Sequence, residues 1–65
     1  MTKKEFGLRL ARARQSKEIS AYELSLRIGK DTSYLYKVEA GNVNISYTVL
    51  CDICNVLGIN PKELF

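Results

Sequence analysis

A chain of 65 residues allows one domain, and so short a chain buries a smaller share of its surface than a long one, so its core has to be efficient. With 46% apolar and 26% charged residues and no low-complexity run, the composition is that of a globular domain and excludes a disordered one, and no apolar stretch approaches the ~20 residues that span a bilayer. The formal charge of +3 is uneven: residues 1–18 hold Lys3, Lys4, Arg9, Arg12, Arg14 and Lys17 against Glu5 and Glu18, whereas residues 19–65 hold four basic and five acidic side chains.

The first predicted element covers residues 4–17. Phe6, Leu10 and Ala13 recur at helical spacing among Ala, Leu, Arg and Lys, all good helix formers. Lys3 and Lys4 could open a signal peptide, but Arg9, Arg12 and Arg14 interrupt the apolar region it would need, so the reading is a cytoplasmic protein. The basic residues of this helix suit a polyanion partner and equally a solvated face. Gly7 lies inside the helix with no local reason for being glycine.

Ser20 and Glu23 are spaced as a capping box, which starts a second helix at Ala21. Leu24 and Ile28 form its apolar pair, and Gly29 ends it. Asp31, Thr32 and Ser33 are N-cap candidates for a third helix, which carries Leu35 and Val38 inward and stops at Gly41. A polar loop follows over residues 42–45. Ser46 then caps a fourth helix whose stripe is Leu50, Ile53, Cys54 and Leu57, closed by Gly58. Pro61 suits the first turn of a short fifth element that returns Leu64 and Phe65 to the core. Tyr47–Leu50 and Val56–Ile59 could be strands on β-branching alone, but the helical stripe outweighs that. The expectation is an all-α single domain over residues 1–65, of four helices and a short fifth.

Helices two and three are short and tightly joined. A small residue at Ser25, Gly29 four positions on and Leu35 six further on are the spacing of a helix-turn-helix. A large side chain at 25 would keep the third helix from packing across the second, and glycine at 29 accepts a left-handed turn. Any tight helical hairpin could share this spacing. The wider set of residues is more specific: Leu10 and Arg14; Ile19–Ser20 and Glu23–Leu24; Ile28–Gly29; Ser33–Tyr34–Leu35; Val38–Glu39–Ala40–Gly41; Asn44–Ile45–Ser46; Leu57–Gly58–Ile59; and Leu64–Phe65. Over about residues 5–65 the chain resembles the Cro/repressor-type, lambda-repressor-like helix-turn-helix family.

That resemblance implies five helices, double-stranded DNA as partner, and the third helix in the major groove of a pseudo-palindromic operator, bound by a homodimer. The base-reading positions it implies are Thr32, Ser33, Tyr36 and Lys37: Lys37 can donate to guanine, and the hydroxyls can bond either kind of base or touch a thymine methyl. Backbone contacts fall to the start of the second helix at Ala21 and Tyr22, to Tyr34, and to Asn42 and Asn44 in the loop. Tyr22 and Tyr34 suit surface packing equally well, and Tyr47 is expected in the core or at its margin. Many relatives carry Gln where this chain has Ala21, so a side-chain contact to that phosphate is missing here, and an apolar residue where it has Lys30, which can extend to solvent or to DNA. The resemblance also implies a partly buried ion pair, Arg14 with Glu39, that is structural.

Cys51 and Cys54, with no histidine, are too few ligands for a zinc site, and the βαβ setting of a redox Cys-x-x-Cys is absent, so both read as reduced helix residues with Cys54 in the core. No catalytic base, glycine-rich phosphate loop, cofactor site or small-molecule site is recognisable, and the chain reads as a non-enzyme. A dimer surface is expected among Val49, Cys51, Val56, Ile59 and Phe65. The competing readings are a protein-interaction module, such as an antitoxin or phage regulator, and a restriction–modification control protein.

Overall fold

The computed structural model describes residues 1–65 and contains helices and turns but no strand. Helix α1 runs Lys3–Ser16. It begins one residue before the expected start because Thr2 caps it: the Thr2 hydroxyl accepts from the Glu5 N–H at 3.0 Å, and the Glu5 carboxylate accepts from the Thr2 N–H at 3.0 Å. Those hydrogen bonds from Thr2 hold the Glu5 carboxyl below its usual range. The helix ends where Glu18 turns left-handed at φ 58°; its N–H bonds the Gln15 carbonyl and the Ile19 N–H bonds the Arg14 carbonyl.

Helix α2 spans Ala21–Arg27. Only half of its capping box forms. Ser20 Oγ accepts from the Glu23 N–H at 3.0 Å, while the Glu23 carboxylate pairs with Arg27 one turn on instead of reaching back. Gly29 sits at φ +76°, a conformation in which an L side chain is strained, and the chain reverses there into helix α3, Tyr34–Glu39.

Helix α4, Tyr47–Leu57, is capped by Ser46 Oγ accepting from the Val49 N–H at 3.1 Å and closes at Gly58. The expected fifth helix is a single 3₁₀ turn, Pro61–Leu64, so the fold has four α-helices rather than five. At this turn the Asn60 side chain accepts from the Lys62 N–H, and the Asn60 N–H donates to the Glu63 carboxylate.

The core collects apolar side chains from every element: Leu10, Ala21, Leu24, Leu35, Val38, Val49, Ile53, Cys54, Leu57 and Leu64. Each fully buried Leu or Ile is worth about 1.5–3 kcal/mol relative to exposure. Burial holds the Cys54 thiol above its ordinary pKa, in keeping with a core cysteine; Cys51 lies at the margin, and both thiols are free.

Three expectations about this end of the molecule are corrected. Val49, expected on the outside, is buried, while Leu50 on the expected stripe is only partly so, because the buried stripe of α4 runs through Val49, Ile53, Cys54 and Leu57. Tyr47, expected in the core or at its margin, is 80% exposed at the first residue of α4. Phe65, expected in the core, is 60% exposed; Leu64 fills that place, and the Phe65 ring stacks obliquely on Phe6 with centroids 5.5 Å apart.

Candidate nucleic-acid interface

Six residues are too few to form a stable helix in isolation, so α3 depends on what holds it. From α2 it is held by Ser25, which is fully buried. The Ser25 hydroxyl donates to the Ala21 carbonyl at 2.8 Å and accepts from the Leu35 N–H at 3.0 Å. Leu35 is in the first turn of α3, where N–H groups have no partner within the helix. Ser33, at the N-cap of α3, makes no capping bond. A hydroxyl ten residues away in α2 therefore does part of the capping. The small residue at 25 was legible from the spacing, but its hydrogen bond was not.

From α1 the hold is tighter. A β-carbon on Gly7 would lie 2.8 Å from the Val38 carbonyl oxygen and closer still to that of Glu39. Glycine at 7 is thus required by the approach of the two backbones, which accounts for a residue with no local explanation. Two turns further along α1, Arg14 Nε donates to Glu39 Oε2 at 2.7 Å and Arg14 Nη2 to Oε1 at 3.0 Å, while Nη1 donates to the Ile19 carbonyl at 2.8 Å. Both side chains are 12% exposed. The two-point geometry is the strong form of this interaction, and the hydrogen bond to Glu39 holds the Arg14 guanidinium above its ordinary pKa despite burial.

With its inner face fixed in this way, α3 turns a polar surface outward. Thr32 and Ser33 in the turn before it, and Tyr36 and Lys37 on it, are all exposed. Positions 33, 36 and 37 share one face by helical spacing. Tyr34 is half-buried, with the Lys30 ammonium 5.3 Å from its ring centroid, so Lys30 lies over an aromatic face; burial raises the Tyr34 hydroxyl above its usual pKa. Tyr22, Asn42 and Asn44 are exposed. Ala21 is 4% exposed, so its side chain belongs to the core and only its main-chain N–H is free to meet a phosphate.

Asp31 belongs to this surface, although the sequence offers it only as a possible cap. Its Oδ1 accepts from the Ser33 N–H at 3.0 Å and from the Ser33 hydroxyl at 2.7 Å. The hydroxyl bond, then the N–H bond, and the charge of Lys37 hold the Asp31 carboxyl below its usual range, so it is ionised at neutral pH. The Asp-x-Ser spacing is the signal that could have found it.

A short helix seated across another, joined by a glycine turn and presenting polar side chains, defines a helix-turn-helix protein. The helix-turn-helix family profile matches residues 10–64, and the chain belongs to that family of DNA-binding transcription regulators. Among solved structures, the restriction-modification controller protein C.AhdI from Aeromonas hydrophila is 36% identical, with a TM-score of 0.91 over 97% of this chain and 91% of that one. The clp gene regulator ClgR from Corynebacterium glutamicum superposes equally well, at TM-score 0.91 over 98% of this chain and 68% of that one; at 23% identity this is a likeness of fold. No curated protein sequence matches the chain. No helix is long and apolar enough to cross a membrane.

Proposed function

We propose that the chain represses transcription as a homodimer, each protomer setting α3 into the major groove of one half of a pseudo-palindromic operator. The observation that carries this reading is the exposed polar set Thr32, Ser33, Tyr36 and Lys37, on and just before a helix whose other side is locked to α1 and α2. Lys37 donates to guanine O6 and N7, and the hydroxyls meet neighbouring base edges. The N–H of Ala21, with Tyr22, Tyr34, Asn42 and Asn44, meets the sugar–phosphate backbone on either side.

Four reading side chains per protomer make a small footprint, and a second copy doubles it. The surface proposed for pairing lies at the C-terminal end, where Phe65 and Tyr47 are exposed and Cys51, Val56 and Ile59 partly so; buried Val49 is not part of it. Sedimentation of the wild type should show a dimer, and Phe65→Glu should shift it toward monomer. A monomer at every concentration would reject this surface.

A second reading follows from the 36% identity to a restriction-modification controller along almost the whole chain: control of a restriction–modification operon. Both readings need a sequence-specific dimer. Selection of bound fragments from a random DNA library tests that requirement. An inverted repeat with half-sites about one turn, ~10 base pairs, apart is expected. Lys37→Ala should weaken binding to it by about 1–3 kcal/mol and relax one base preference. Salt-sensitive binding with no enriched sequence would leave only phosphate attraction and reject base reading.

A further inference from the structure

The hydroxyls of Thr32 and Ser33 are chemically alike but differently committed. A serine hydroxyl has one proton to donate and two lone pairs to accept with. At Ser33 the proton is in use, donated at 2.7 Å to Asp31 Oδ1, the same oxygen that receives the Ser33 N–H at 3.0 Å. No donor in the fold occupies the Ser33 oxygen in return, and the residue is exposed. Thr32 makes no side-chain hydrogen bond and can turn its proton either way.

Resting on the base-reading role of α3, we propose that Asp31 sets the polarity of the Ser33 hydroxyl, so that position 33 offers the groove acceptors only. An acceptor is met by the amino groups of adenine N6 and cytosine N4; guanine O6 and N7 and thymine O4 are themselves acceptors and find no partner. To donate to guanine or thymine, Ser33 would have to abandon a bond to a carboxylate, which is about twice as strong as a neutral one. Position 33 therefore sorts base pairs by an unusual rule. On the strand it faces, adenine and cytosine are accepted together and guanine and thymine are refused together. A·T is separated from its own inversion T·A, and C·G from G·C. Asp31 touches no base in this scheme; it is a positioning residue that acts through Ser33.

The test is the library selection carried out with wild type, Asp31→Ala, Ser33→Ala and the double variant, with melting curves confirming that each is folded. Ser33→Ala identifies the operator position that residue 33 reads. There the wild type should group the four base pairs as amino against keto on one strand, with about tenfold discrimination. Asp31→Ala should abolish that grouping at this position and leave the others unchanged, and should add nothing in the Ser33→Ala background. Grouping by purine and pyrimidine, or by A·T and G·C, would overturn the proposal while leaving base reading intact. So would an effect of Asp31→Ala that persists without the Ser33 hydroxyl. A wild type that enriches no sequence would overturn the base-reading role, and this inference with it.

Discussion

Helix α3 is gripped on two sides by unlike means. Toward α2 the grip is neutral and local: a buried serine hydroxyl spans ten residues of sequence and completes the first turn of α3. Toward α1 it is charged and distant, since Glu39 is held by Arg14, 25 positions earlier, and the backbones meet at Gly7. The first contact fixes where α3 begins and the second where it ends. A helix of six residues held only at its start would swing, and the exposed side chains at 36 and 37 would lose their fixed place on the surface. The comparison teaches that orienting so short a helix takes one contact at each end, made by whatever chemistry the local depth permits.

The largest loss is expected at the distant contact. Gly7→Ala places a carbon against two carbonyl oxygens, and α1 or α3 must move; about 2–4 kcal/mol of stability should go. DNA affinity should fall further than the unfolded fraction explains. A variant that melts like wild type would mean that the two backbones can part without harm. Glu39→Gln comes next, at about 1–3 kcal/mol, because a mostly buried guanidinium loses its countercharge but keeps an amide oxygen. Chemical denaturation would measure this, and an unchanged midpoint would show that the charge is not needed. Ser25→Ala, at the local contact, should cost about 1–2 kcal/mol by stranding the Leu35 N–H. Its particular signature is faster amide exchange at Leu35, and retained protection there would mean that another acceptor has replaced the hydroxyl. The smallest effect is a gain. Glu18→Gly relieves the left-handed turn after α1 and should stabilise by up to about 1 kcal/mol. If it destabilises, the turn is held by the Glu18 side chain rather than merely tolerated.

Legibility in the sequence followed the range of the interaction. Helix positions, the turn at Gly29 and the small residue at 25 were readable because periodicity and capping act over a few residues. One end shifted because the cap at Thr2 lies outside the expected helix, and the last element is a 3₁₀ turn at Pro61–Leu64 rather than an α-helix. Gly7 was visible only as an unexplained residue, because its reason lies in the backbone of α3. The register of α4 was mistaken at Val49 and Leu50, neighbours of similar hydropathy that composition does not rank. Asp31 is one of three equivalent caps by sequence, and only side-chain geometry shows its oxygen taking the proton of Ser33.

The shortness of α3 also bears on how much active protein a cell contains. At six residues it lies far below the ~12–15 that an isolated helix needs, so α3 is not a stable helix outside the fold. Competence to bind an operator is therefore all-or-none with the fold. A substitution anywhere in the core acts on occupancy as a dilution of the regulator would, since the folded fraction multiplies the working concentration. A loss of about 1–2 kcal/mol of stability can change a protein's abundance several-fold. Turnover of the unfolded chain would then set the threshold at which its target genes respond.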